Sequence, residues 1–249
     1  MIRKLLFLLA LSFVWIEGAL AQIGEYRNVF SIGASAGYGL SDVGFDPTVS
    51  QSYHGGVIGG VALRYTCEKY FNTICSVYAE VNYASIGWKQ DISKIDGSPV
   101  VNANGKNESF TRNINYIQIP LLAHLAWGKE QDGINFFVQA GPQIGIYLSD
   151  SAEKNYDTPN LGEDGRANTI VAQETMPIEN KFDYGIAAGL GLEYSKSRLG
   201  HFLLEARYYY GLGDIYGNSK RDFFGKSNFN NIVIKAAWMF DVTKTKNSK

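Results

Sequence analysis

The sequence lacks an apolar run long enough to cross a membrane as a helix. Its longest N-terminal run, Leu5–Trp15, is shorter than the roughly 20 residues that such a helix needs. Arg3 and Lys4 precede this run, and the small-residue motif Ala19-Leu20-Ala21 follows it. This order predicts a secretory signal peptide over residues 1–21, which is cleaved to leave an exported chain that begins at Gln22.

The chain also lacks an excess of basic residues. It carries 23 Lys and Arg against 24 Asp and Glu, for a net charge of −1. Removal of residues 1–21 takes away two basic residues and one acidic residue, so the mature chain has a net charge of −2. No basic surface for nucleic acid is expected from this balance, and we expect no nucleic-acid partner.

Cysteine is scarce, because only Cys67 and Cys75 are present. Export to an oxidising compartment makes a local disulfide one interpretation, and two unpaired thiols are the other. Two cysteines with no nearby histidine provide too few ligands for a metal site. We therefore predict no metal site and no cofactor.

Histidine is scarce as well, and the three residues are scattered at His54, His124 and His201. No Ser-His-acid triad can be placed on one barrel rim from these positions. We predict no catalytic residues and expect that the protein is not an enzyme. The alternative that stays open is an outer-membrane enzyme that uses His54 with Asp42 or Asp46.

Long alternating stretches are what the sequence does contain. Residues 113–148 hold two of them, separated by a polar break near Gln131. In the first, apolar residues recur at every second position: Ile117, Ile119, Leu121, Ala123, Leu125 and Trp127. Side chains of a strand point alternately to opposite faces, so the pattern predicts an antiparallel hairpin. Both strands reach the 9–11 residues that a tilted membrane strand needs.

Six further stretches alternate in the same way. The predicted strands outside the hairpin are residues 29–40, 56–65, 75–83, 182–194, 201–212 and 231–240. The intervening loops are alternately long and short, with long polar loops at residues 41–55, 85–112 and 149–181. Even strand number, short periplasmic turns and long external loops are typical of outer-membrane barrels. We predict an all-β, eight-stranded, antiparallel up-and-down transmembrane β-barrel over residues 22–242, with a polar periplasmic tail over residues 243–249.

Charged residues within the strands share the face opposite the apolar one. A charge that faces lipid costs about 2–4 kcal/mol at the midplane, so these residues should point into the lumen. They form a predicted charge cluster of Arg64, Glu80, Glu193, Glu205, Arg207 and Lys235. If Arg207 and Lys235 are cross-strand partners, Glu205 lies one inward-facing position closer to the periplasm. We interpret the cluster as a polar plug, with an ion or proton pathway as the alternative, since an eight-stranded barrel leaves room only for side chains.

Two further features concern the wall. Aromatic residues gather at strand ends, with Tyr65, Trp127, Tyr194, Phe202, Trp238 and Phe240 at the periplasmic ends and Tyr38, Tyr184 and Tyr210 at the external ends. They predict two interfacial girdles. Trp238 and Phe240 also end an alternating row that is similar to the signal read by the barrel assembly machinery.

Pro120, facing in, and Pro142, facing out, predict a bulge or weakened pairing in the hairpin.

The chain resembles a known family from about Phe30 to Phe240. The most specific segments are Gln118–Leu122, Gly141-Pro142, Glu205–Tyr208 and Gly211–Asp214. They are similar to the PorT-like outer-membrane β-barrel family of Gram-negative Bacteroidetes. The resemblance implies an eight-stranded barrel in the outer membrane, and one member type takes part in protein secretion and gliding.

Two functions remain open beside the enzyme. The first is a structural or interaction role for a barrel with a filled lumen and long external loops. The second is an accessory role in protein secretion across the outer membrane. Expected partners are outer-membrane lipid, the barrel assembly machinery and, for the second function, secretion-system proteins.

Overall fold

The computed structural model describes residues 24–157, 165–167, 170–217 and 223–244, and these form one closed antiparallel barrel. Each strand pairs with its sequence neighbours, and the first closes on the last. The strands are β1 (Glu25–Asp46), β2 (Ser52–Tyr70), β3 (Thr73–Asp91), β4 (Ser109–Gly128), β5 (Gly133–Lys154), β6 (Phe182–Lys196), β7 (Gly200–Gly211) and β8 (Lys226–Lys244). The eight-stranded up-and-down barrel is therefore confirmed. The predicted signal peptide lies outside the described residues.

One short helix, α1 (Ala172–Thr175), lies in the connection between β5 and β6. Within the described ranges, no helix is long and apolar enough to cross a membrane.

An outward apolar belt surrounds the barrel, as the alternation predicts. Val61, Leu121 and Leu190 are about half exposed. The charged residues within the predicted strands point inward and are buried: Arg64, Glu80, Asp183, Glu193, Glu205, Arg207 and Lys235. The aromatic girdles are also outward, with Trp127, Trp238 and Phe240 near one end. The charged residues are thus buried on the strand faces that the sequence pattern predicts to point into the lumen.

Above this belt the alternation reverses, and here the predicted loop boundaries were wrong. Residues 41–46, 52–55, 85–91, 109–112 and 149–154, which were assigned to external loops, continue the strands. In these extensions the inward residues are apolar and buried, as at Val43, Ile86 and Phe110. The outward positions are polar, as at Lys89 and Thr111. Outside the bilayer the surrounding solvent is water, so the apolar face must turn inward.

The strand extensions above the belt enclose a small hydrophobic core. The rings of Phe45 and Trp88 lie 5.3 Å apart, those of Phe45 and Phe224 4.9 Å apart, and those of Tyr216 and Phe224 5.6 Å apart. From α1, Gln173 is buried beside this core, and its Nε2 donates to Gln90 Oε1 on β3 at 3.3 Å. The core and α1 together fill the external mouth of the barrel.

The proline prediction is confirmed in its weaker form. Pairing of β4 with β5 runs to Pro120↔Gln143 and resumes at Ala123↔Ala140, with the two intervening pairs missing and the register unchanged. Pro120 is buried and Pro142 is exposed, as predicted. Since proline contributes no N–H to a ladder, the missing pairs mark an interruption and not a bulge. The register shift of this pair of strands lies elsewhere, between Asn115 and Tyr116.

The C-terminal boundary of the barrel also differs from the prediction. β8 continues to Lys244, and Thr243 pairs with Phe30 on β1. Residues 243 and 244, which were assigned to the polar tail, therefore belong to β8, and the rest of the predicted tail lies outside the described residues. Polar residues extend the strand here because β1 supplies a pairing edge.

Candidate functional site

Four of the predicted cluster residues meet at mid-height in the lumen. Glu80 on β3 accepts from Arg207 Nη1 at 2.8 Å and from Lys235 Nζ. Glu205 Oε1 lies 2.7 Å from Arg207 Nη2 and 3.2 Å from Lys235 Nζ. We call these four residues the mid-barrel cluster. Two acids and two bases balance in charge, which is the condition under which ions are tolerated in a buried site.

Neutral side chains complete the hydrogen bonding of the two carboxylates. Tyr78 Oη donates to Glu80 Oε1 at 2.9 Å, and Asn82 Nδ2 donates to Glu80 Oε2 at 2.8 Å. Gln139 Nε2 donates to Glu205. Side chains from β3, β5, β7 and β8 therefore span the lumen.

The predicted register of β7 and β8 was wrong by two residues. Lys235 pairs with Glu205, and Arg207 pairs with Val233. The prediction centred the connecting loop one residue too far along the chain. The length of the β7–β8 loop does not determine which residue lies at its centre, so it does not determine the register. The observed register places Lys235 beside Glu205.

The other two predicted residues form a second group nearer the periplasm. Arg64 Nη1 lies 2.8 Å from Glu193 Oε2, and Glu193 Oε1 lies 2.6 Å from His201 Nδ1. His201 Nε2 lies 3.0 Å from Asp241 Oδ1. We call Arg64, Glu193, His201 and Asp241 the lower cluster. The predicted single cluster is thus two.

Sequence reasoning missed His201 and Asp241 as lumen residues. His201 was taken only as the start of a strand, and Asp241 was assigned past the last strand. The signal was nevertheless present, because Asp241 has the same parity as the inward residues Lys235, Ala237 and Met239. Continuing the alternation one step beyond Phe240 would have found it.

The lower cluster contains a triad-like arrangement. Ser195 Oγ lies 2.9 Å from His201 Nδ1, and Asp241 lies on the other side of the ring. However, both ring nitrogens face carboxylate oxygens, which they satisfy only by carrying protons. A ring in that state has no lone pair with which to deprotonate Ser195. Ser195 Oγ itself donates to Glu193 Oε1 at 3.1 Å, so the group is an ion-pair network.

The residues of the alternative enzyme lie on the external part of the wall. His54 lines a groove with Tyr38, Asn113 and Glu153. Asp42 accepts a hydrogen bond from Asn230 Nδ2 at 3.0 Å across the β1–β8 seam. Among the described residues, no group of three His, Cys, Asp or Glu side chains is arranged to hold a metal ion.

Both cysteines are free thiols in the structure, and no disulfide joins Cys67 to Cys75. Cys67 occupies the irregularity between Thr66 and Glu68, and it is Glu68 that pairs with Cys75. The two cysteines are therefore not opposite one another in the ladder.

Trp238 and Phe240, predicted as the assembly signal, lie outward on β8. The ring of Trp238 stacks on Phe202 at 5.5 Å, and its Nε1 donates to Leu199 O at 2.8 Å. These contacts join the end of β8 to the turn between β6 and β7.

Below the mid-barrel cluster lies a cavity of about 400 Å³. Its deep end is lined by Arg64, His124 and Asn135, and its mouth by Arg27 and Glu130. Arg27 Nε lies 2.6 Å from Glu130 Oε1. The hydrogen bond from Arg27 holds the pKa of the Glu130 carboxyl below its ordinary value, with burial opposing this shift.

A family described as "Outer membrane protein beta-barrel domain" matches residues 20–217 of the chain. No curated protein matches the chain in a sequence search.

Solved structures with a similar chain path include three bacterial surface barrels. Ail of Yersinia pestis is 13% identical with a TM-score of 0.36, and the alignment covers 85% of this chain and 99% of Ail. Neisserial surface protein A is 11% identical with a TM-score of 0.41, covering 87% and 100%. OprG of Pseudomonas aeruginosa is 11% identical with a TM-score of 0.34, covering 87% and 98%. At these values the likenesses carry no argument about function.

Proposed function

Because the chain belongs to the outer membrane protein beta-barrel domain family, we propose that it is a non-conducting barrel of the bacterial outer membrane with a structural or interaction role. Its working surface is the part that projects beyond the membrane. We further propose that it is not an enzyme.

The observation that carries this proposal is the closure of the lumen at two levels. At mid-height Glu80 on β3 reaches Arg207 on the facing strand β7, with 2.8 Å between Oε2 and Nη1. At the external end Trp88, Tyr216 and Phe224 are fully buried, and each packs against the ring of Phe45. A solute would have to displace both a paired ionic cluster and a hydrophobic core. Eight strands leave space only for such filling.

The projecting part supports an interaction role. The strand extensions above the belt carry polar residues outward, and several are hydrogen-bonded across strands. Ser85 Oγ donates to Asn113 Oδ1 at 2.6 Å, and Asn115 Nδ2 donates to Ser149 Oγ at 3.0 Å. Such cross-strand pairs stiffen a sheet, so the projecting wall can present loops to a partner on a rigid support.

Electrical recording tests the absence of conduction. The refolded barrel is inserted into planar bilayers, and its heat-dependent gel mobility gives the folded fraction. We expect no unitary current above that of the bare bilayer, while a 16-stranded porin in the same bilayers conducts. Reproducible unitary steps from the folded wild-type chain would overturn the proposal.

The finer family placement is also a proposal. Gln118–Leu122 and Gly141-Pro142 support membership of the PorT-like group of Bacteroidetes, and with it the alternative role in protein secretion. Secretion-system proteins would then be partners. Comparison of exported proteins between a deletion strain and its complemented parent tests this role. An unchanged set of exported proteins argues for the structural or interaction role instead.

Assembly gives a further expected partner, the barrel assembly machinery. We propose that it reads the row that ends in Trp238 and Phe240. Phe240→Ala should lower the amount of folded barrel in the outer membrane, whereas Phe202→Ala, which alters a girdle aromatic on β7, should lower it less. Equal amounts for both variants would contradict the assignment.

A further inference from the structure

The cavity below the mid-barrel cluster has the construction of a ligand site. Its volume of about 400 Å³ lies within the roughly 300–1,000 Å³ that is usual for small-molecule pockets. The mid-barrel cluster closes it from above, and its mouth lies between the turns that follow β4 and β6. A ligand would therefore enter from the periplasm.

Three buried side chains at the deep end present polar atoms without hydrogen-bond partners among the described residues. These atoms are Arg64 Nε, His124 Nε2 and Asn135 Oδ1, and each residue is at least 95% buried. Arg64 and His124 both face Glu193 Oε2, at 2.8 Å and 4.0 Å. Asn135 is the cross-strand partner of Glu193. All three side chains line the same cavity.

The direction of each hydrogen bond can be assigned. Gln139 Nε2 donates to Glu205, which turns Gln139 Oε1 towards His124 Nδ1 at 3.3 Å. Nδ1 must therefore carry the proton, and in the neutral ring Nε2 is an acceptor. Asn135 Oδ1 is a second acceptor, and Arg64 Nε is a donor with a positive charge. The site offers one cationic donor beside two neutral acceptors.

The charges of the lining narrow the ligand class. Arg27, Arg64, Lys196, Arg198 and the doubly protonated His201 contribute positive charge, and Glu130, Glu193 and Asp241 contribute negative charge. A simple anion would meet the carboxylates, and a simple cation would meet the guanidinium groups. A dipolar molecule with a carboxylate and N–H groups satisfies both.

We propose that this cavity binds amino acids or short peptides from the periplasm. The ligand carboxylate is held by the Nε edge of Arg64, which leaves Nη1 on Glu193. The ligand N–H groups donate to His124 Nε2 and Asn135 Oδ1. Ligand binding in this cavity is independent of whether the barrel conducts ions.

Tri-alanine is a suitable probe, since it has no charged side chain. The full mature chain in lipid nanodiscs is titrated with tri-alanine and followed by calorimetry and by amide NMR shifts. We expect saturable binding with shifts at Asn135 and its neighbours, and binding about tenfold weaker for the C-terminal amide of the same peptide, since a charge-assisted hydrogen bond is lost.

Two variants separate recognition from folding. Asn135→Ala removes an acceptor and should weaken binding about tenfold. Asn228→Ala is the matched control, because Asn228 is also buried with an unpartnered Oδ1 but lies above the mid-barrel cluster on β8. Its binding should equal that of the wild type. Heat-dependent gel mobility shows that each variant is folded.

Three results would overturn the proposal. The first is the absence of saturable shifts with folded wild-type chain, which means that the cavity holds solvent only. The second is equal binding of tri-alanine and its amide, which removes the role of Arg64. The third is equal weakening by Asn135→Ala and Asn228→Ala.

Discussion

Glu80 on β3 meets Arg207 on β7, the strand directly across the ring, with 2.8 Å between Glu80 Oε2 and Arg207 Nη1. This bond crosses the lumen and is independent of the backbone ladder. It also gives the first prediction.

Glu80→Gln should destabilise the barrel by about 3–5 kcal/mol, because Arg207 and Lys235 are then left with only Glu205. The free energy of unfolding can be measured by urea titration in lipid vesicles. Glu153→Gln, an exposed change on β5, is the control and should have little effect. The double variant Glu80→Gln with Lys235→Met should recover part of the loss, since the charge balance returns. No recovery would indicate that packing and not charge dominates.

Trp88→Ala should destabilise the external part of the barrel by about 3–5 kcal/mol through the cavity that it leaves. Trp88 is fully buried against Phe45 and Phe110. Protease digestion of intact vesicles should then cleave the β3–β4 and β7–β8 loops faster. Trp127→Ala, which alters an outward girdle residue, should leave this digestion unchanged. Equal cleavage in both variants would contradict a packed external core.

The interrupted ladder around Pro120 should be visible in amide hydrogen exchange. Leu121 lies in the gap with its carbonyl directed towards Gly141 on β5, so its amide also faces β5 and should exchange faster than the amide of Ala123, which faces β5 where the pairing has resumed. NMR of the barrel in nanodiscs measures both amides in one sample. Uniform protection along β4 would show that the ladder is continuous through the prolines.

The periplasmic ion pair predicts a pH dependence. The hydrogen bond from Arg27 lowers the pKa of Glu130 below its ordinary value of 4.5. A carboxyl whose pKa is depressed on folding contributes stability above the unfolded value, and this contribution is lost as the pH falls through the folded value. Because the Glu130 side chain is about one-third exposed, solvent screens the pair, and the contribution to the free energy of unfolding is below about 1 kcal/mol.

Arg27→Gln should therefore return the pKa of Glu130 towards 4.5, with a small loss of stability between neutral and mildly acidic pH. NMR titration of the Glu130 carboxyl measures the shift directly. Lys196→Gln, a change at the β6–β7 turn that removes the partner of Asp132, is the control and should leave the Glu130 titration unchanged.

Alternation alone predicted the strand order, the outward apolar belt and the inward direction of each strand charge. It succeeded because a bilayer penalises charge on one face of every strand in the same way. It failed above the belt, where Val43 and Phe45 point inward, because the reversed pattern was taken for loop. The partners of Lys235 also escaped prediction, because the β7–β8 loop does not define the register.

The lower cluster was missed for a different reason. His201 and Asp241 lie on strand ends, where alternation is short and boundaries are uncertain by a few residues. Their roles depend on a three-way meeting of β6, β7 and β8. These strands contribute residues that are far apart in the sequence, so no spacing pattern along the chain predicts their contacts.

The reversal of alternation above the belt also fixes the height of the barrel in the membrane. If the barrel sank, the polar outward residues nearest the belt, such as Ser85 and Asn115, would enter the hydrocarbon first, followed by Lys89, and a charge there costs up to about 2–4 kcal/mol depending on its depth. If it rose, apolar residues at the external edge of the belt, such as Val57 and Ile146, would come into contact with water. Opposite displacements are therefore both unfavourable, so the projecting rim is held at a constant distance from the lipid surface.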